Sequence, residues 1–146
     1  MTESTGIPGV DALVAAHAAE RSQLNAAFVV NAAEGTVATV RQDELVAQQA
    51  AARRRWTAAK GQLTKARKDG SAEKITAARQ RADNAYQEFT RISDAAIAEM
   101  QQLLGARLTS NGELLKQARQ TWNTGSAVID ALVRSGSTEP PCAGAR

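Results

Sequence analysis

Apolar positions recur along this chain at intervals of three and four for most of its length. After an opening "MTESTGIPG", Val10, Leu13, Val14, His17, Leu24 and Phe28 fall near helical spacing and predict a first helix over residues 9 to 33. From residue 37 to 68, Leu45, Ala52, Trp56, Ala59, Leu63 and Ala66 alternate wide and narrow steps, with Gln49 at the one polar seam position. That is the seven-residue repeat of a coiled-coil-like seam. Ile75, Ala78, Ala82, Ala85, Phe89, Ile92, Ala96 and Leu103 keep the same rhythm and are interrupted at Glu99, where the stripe moves to Ile97, Met100 and Leu104. Such drift is expected when a helix of about 3.6 residues per turn meets a repeat of about 3.5.

Between the two seams, "KDGS" supplies Gly70 for a left-handed cap and Ser71 as the next N-cap, so the chain is expected to reverse near residues 69–71. Two other segments admit alternatives. "FVVNAAEGTVATV" reads as a helix–turn–helix in preference to a short β-hairpin, although its valines and threonines would suit a pleated surface. "LTSNGELL" can stop one helix and cap another through Ser110 or Asn111. Leu104, Leu108, Leu115, Ala118, Trp122, Gly125, Ile129 and Leu132 nevertheless keep one phase across it, which a single long, kinked helix would also give. The expected fold is all-α: a long antiparallel, coiled-coil-like helical hairpin over residues 37–104, with additional N- and C-terminal helices. These make one helical domain over 9–134, preceded by a flexible arm (1–8) and followed by a disordered tail (135–146).

Composition thins the expected core. Of the hydrophobic residues, 31 are alanine, and aromatics make up only 3% of the chain. Alanine favours helix but buries little area, so part of the stability is expected to come from partners. Proline occurs only at Pro8, Pro140 and Pro141, leaving nothing between them to interrupt a helix. The single Cys142 has no partner for a disulfide, the N-terminal stretch makes a poor signal peptide, and no apolar run is long enough to span a membrane. The expected location is the cytoplasm, or a particle assembled inside the cell.

The chemistry available is sparse. His17 is the only histidine, and it reads as a helix-face or core residue in preference to a catalytic base. Neither a phosphate-binding glycine loop nor metal-ligand spacing occurs, and "KDGSAEK" lacks the acids of a calcium loop. Asp43 and Glu44 read as solvated helix charge. "WNTG" holds Trp122 and Gly125 one residue too far apart for the Trp-x-Gly turn of small secreted helical hairpins, and the best turn lies at "KDGS" instead. No catalytic residue, cofactor, metal or small-molecule substrate is expected, and the chain is read as a non-enzyme.

Charge is the remaining signal. Arg53, Arg54, Arg55, Lys60, Lys65, Arg67, Lys68, Lys74, Arg79 and Arg81 face only Asp69 and Glu73 over residues 53–81, a balance of 10 − 2 = +8. Residues 1–40 hold Arg21 against Glu3, Asp11, Glu20 and Glu34, or 1 − 4 = −3. The expected function is that of a structural or adaptor subunit that assembles with copies of itself or with a helical partner protein. Acidic and basic ends would then stack head to tail. The alternative is a sequence-independent nucleic-acid binder that uses the basic tip for phosphate contacts. Trp56 and Trp122 are the candidate interface anchors, core packing being the favoured reading of both.

Overall fold

The computed structural model describes residues 4–136, and the expected tail, with Cys142, lies outside the described residues apart from Ser135 and Gly136. Two helices account for nearly all of it, α1 (Pro8–Asp69) and α2 (Ala72–Gly136), packed against each other with no strand among the described residues. The additional N- and C-terminal helices are not separate elements. Residues 9–33 are the beginning of α1, and residues 105–136 are the continuation of α2.

The helix start is built locally. Pro8 occupies the first helical position, where a missing N–H costs nothing. The Ile7 carbonyl accepts from the amides of Val10 and Asp11, both at 3.1 Å. The Asp11 carboxylate reaches back to accept from the Thr5 amide (2.8 Å), the Thr5 hydroxyl (2.6 Å) and the Ser4 hydroxyl (3.0 Å). Residues 4–7 are thus tied to the first turn, and these donors, the Thr5 hydroxyl foremost, hold the Asp11 carboxyl below its usual range.

Neither predicted interruption breaks its helix. At Gly35 an interior glycine costs about 1 kcal/mol relative to alanine, too little to stop a helix packed along one face. A hairpin over 28–40 would have removed Asn31 and Ala38 from the inner row they occupy. At 109–112 the cap-forming side chains are engaged sideways. Asn31 Nδ2 donates to Ser110 Oγ (3.0 Å) and to Asn111 Oδ1 (3.1 Å), while the Ser110 hydroxyl donates to Glu34 Oε2 (3.1 Å). Partners on the other helix remove the incentive to cap a helix end there.

The break comes at Gly70–Ser71. Ser71 Oγ accepts from the Lys74 amide at 3.4 Å and the Ser71 carbonyl accepts from Ile75 at 3.0 Å, as an N-cap should. Gly70 departs from expectation: Gly6 is the only described residue with positive φ, so Gly70 is not a left-handed cap. Glycine is required there for space. The Gly70 amide donates to the Ala66 carbonyl at 2.7 Å, and a Cβ on Gly70 would lie 2.5 Å from that oxygen.

The helix pair divides into two compact units: a terminal unit, Met1–Glu34 with Leu108–Arg146, and a turn unit, Gly35–Arg107. In the turn unit Leu45, Ala52, Ala78, Ala82 and Ala96 are buried, the alanines allowing close approach of the backbones. Trp56 stacks on Phe89 (centroids 5.5 Å apart, 16° between planes) and tilts against Tyr86 (5.0 Å, 53°). Arg41 makes a two-bond contact with Glu99, Nε to Oε1 at 2.6 Å and Nη2 to Oε2 at 3.0 Å, and a further bond to Glu44 at 2.9 Å. Glu99, which interrupts the seam in the sequence, is therefore an interhelical partner. In the terminal unit the buried residues are Val10 and Thr121.

Candidate interaction surfaces

Two surfaces stand out, one in each unit. In the turn unit all ten predicted tip cations are exposed. Two of them have partners: Arg55 Nη2 meets Glu88 Oε1 at 3.1 Å, and Lys60 Nζ sits 3.9 Å over the Trp56 ring. Arg53, Arg54, Lys65, Arg67, Lys68, Lys74, Arg79 and Arg81 form no ion pair among the described residues. Lys65, Lys74 and Arg81 line a shallow depression of about 430 Å³ floored by Ala66 and Ala78. Trp56 is half-buried inside the helix pair, engaged with Phe89 and Tyr86, which is core packing.

The terminal unit holds the surface that sequence phase misassigns. The inward row of α2 there is Arg107, Ser110, Leu114, Thr121 and Val128, with Arg107 belonging to the turn unit. Leu108, Leu115, Trp122 and Ile129, expected on the seam, lie one residue further round and are 63, 71, 75 and 62% exposed. Trp122 is thus no core residue. These four side chains are seven residues apart, which keeps them on one stripe along the helix. Arg21, Leu24 and Asn25 of α1 meet Trp122 and Ile129 across a groove of about 520 Å³. Phe28, half exposed, follows Arg21 and Asn25 at helical spacing on the same side of α1.

The largest exposed apolar side chains lie on that side, although Val30, 56% exposed, lies on the other. On the other side of the terminal unit, α2 contributes Glu113 and Gln117 to a second groove with Ala26 and Val30. His17 lies half-buried beneath the apolar face, where a Cβ on Gly125 would come within 3.0 Å of its Cε1. His17 Nδ1 and Glu20 Oε2 are enclosed without a hydrogen-bond partner among the described residues. Sequence reading missed the Asn31–Ser110–Glu34 network and the Arg41–Glu99 pair. Their signal was polar residues recurring at seam spacing, Asn31 seven before Ala38 and Glu99 seven after Ile92.

The structure also changes the electrostatics expected of the acidic N-terminal segment. Within the described residues of the terminal unit, α2 sets Lys116, Arg119 and Arg134 beside Asp11, Glu20, Glu34, Glu113 and Asp130, and with Arg21 the sum is 4 − 5 = −1. An almost neutral unit attracts a basic tip weakly. Among the described residues no helix is long and apolar enough to cross a membrane, and no three His, Cys, Asp or Glu side chains converge to hold a metal ion. No family model matches the chain, and comparison with curated proteins and with solved structures yields no match, so its function is read from its own geometry.

Proposed function

We propose that this chain is a non-enzymatic structural or adaptor subunit that acts through protein–protein assembly, using the apolar face of its terminal unit. The observation that carries this reading is the exposure of Leu108, Leu115, Trp122 and Ile129 at seven-residue intervals, beside an interior whose buried apolar residues are mostly alanine. Large apolar side chains kept out of the helix pair and aligned on one stripe have the form of a seam awaiting another helix. Tryptophan on such a stripe is the residue type most enriched at energetic centres of interfaces.

Photocrosslinking in the cells that make the protein tests this. A photoreactive residue at position 122 is expected to give a discrete protein adduct, and one at Gln117, on the other side of the terminal unit, none. Absence of a protein adduct at position 122 refutes the reading.

A second reading has its own observation, the eight tip cations with neither an ion-pair nor a ring partner among the described residues. A solvated helix face would tolerate them, but so dense an unpaired group also suits the phosphates of a nucleic acid. In that case duplex binding would weaken with salt and show no sequence preference. Replacing Arg53, Lys60 and Arg67 by Gln would flatten the log–log salt slope by about one unit for each lost phosphate contact. Binding too weak to measure at low salt removes this alternative.

A further inference from the structure

We infer that the occupant of the apolar face is a second copy of this chain, its α2 lying antiparallel to the first across a twofold axis near Ala118. This rests on the assembly reading above and names the partner. The stripe is numerically self-complementary. In an antiparallel pair centred beside Ala118, Leu115 of each copy meets Trp122 of the other, and Leu108 meets Ile129, because 115 + 122 and 108 + 129 are both 237. Trp122 is thus met by Leu115, and Ile129 by Leu108. Small Ala118 lies at the crossing, where two backbones must come closest. A parallel pair would instead set Trp122 on Trp122 and Asn111 on Asn111.

Area favours the same conclusion. Phe28, Leu108, Leu115, Trp122, Ile129 and Leu132 expose between 42 and 75% of themselves. At ~100 Å² each they offer about 600 Å² per copy, and two copies with their smaller neighbours reach the ~1,200 Å² at which specific interfaces begin. A lone partner helix would cover a strip of this face, whereas a second hairpin brings an equal area and the same chemistry. The stripe itself carries no charged residue: Asn111, Ala118, Gly125 and Leu132 alternate with the four large side chains. Arg119, exposed and four residues after Leu115, borders the centre of the patch, while the positions between the large side chains on the stripe are uncharged, as the middle of an interface requires.

The test uses the full-length chain in a Cys142→Ser background, by analytical ultracentrifugation and oxidative crosslinking. The expected result is a dimer at micromolar concentration that dissociates on dilution, and Trp122→Glu or Leu115→Glu should convert it to a monomer of unchanged helicity. Helicity is the control for folding, since both side chains already face water within one hairpin. Ala118→Cys is expected to crosslink to itself, and Leu108→Cys alone is not. A chain that is monomeric at all accessible concentrations, a dimer indifferent to both glutamate substitutions, or self-crosslinking at position 108 would each overturn the inference. The first outcome, combined with an adduct of a different protein at position 122, would leave the assembly function standing with another partner.

Discussion

Phe89→Ala probes whether the three-ring cluster in the turn unit holds that part of the helix pair together. Full burial would predict a loss of roughly 3 to 5 kcal/mol. Phe89 is only half-buried, so the transfer and cavity components fall by about half, while its stack on Trp56 at 5.5 Å contributes about 0.5–1.5 kcal/mol. The expected loss is therefore about 2 to 4 kcal/mol. Urea denaturation followed by helical circular dichroism measures it, at one fixed protein concentration because self-association would add to apparent stability. A cycle with Trp56→Ala isolates the stack, and a coupling of about 0.5–1 kcal/mol is expected. Tyr86 also touches Trp56, at 5.0 Å, and would relax into part of the space left by Phe89, so the coupling should lie at the lower part of the aromatic range. A loss below about 0.5 kcal/mol, the level of an ordinary surface change, would refute the assignment of Phe89 to the interior.

Two further outcomes follow from the turn and the inner ion pair. Gly70→Ala should destabilise by more than about 1 kcal/mol, since the added Cβ would lie 2.5 Å from the Ala66 carbonyl oxygen; a more stable variant in urea denaturation would contradict that geometry. The hydrogen bonds from Arg41 lower the pKa of Glu99 in the folded state from its ordinary 4.5, so the pair's contribution is present above that value and is lost as pH falls through the folded-state pKa. Urea midpoints taken from neutral pH to about pH 3 should fall less steeply in Glu99→Gln than in the wild type, and identical acid sensitivity would show that the pair does not contribute.

The rhythm of small and large apolar residues made the helix pair legible from sequence, but not how far each helix ran. Gly35 and the "TSNG" stretch carry the local chemistry of helix stops, and local chemistry was outweighed by partners on the opposite helix: Ser110 and Asn111 bond to Asn31, and Gly35 accommodates Arg107, whose Nη2 would lie 3.2 Å from an added Cβ. The tip cations were correctly expected to be exposed, because charge has no other place on a thin hairpin. Phase failed in the second half of α2. There the largest residues trace one stripe and the inward residues, Ser110, Leu114, Thr121 and Val128, trace the adjacent one. Sequence periodicity finds the strongest apolar stripe, and it cannot tell whether that stripe faces the same chain or a different one.

That misassignment carries the functional argument. In a self-sufficient hairpin the strongest stripe and the inner row coincide, because burying the largest side chains is the main source of folding free energy. In the terminal unit they are separate: the inner row includes Asn31, Ser110 and Thr121, while Leu115 and Trp122 face outward. The polar network fixes which residues of the two helices lie opposite each other, since a shift of either helix would leave its donors and acceptors unpaired. Register is thereby set inside the pair by hydrogen bonds, and the larger apolar area remains available for association. If the chain assembles through that face as proposed, folding and assembly share one source of stability, and its unfolding midpoint should rise with protein concentration in the wild type and become concentration-independent in Trp122→Glu. A wild-type midpoint constant over a hundredfold dilution would show that the hairpin does not draw its stability from that face.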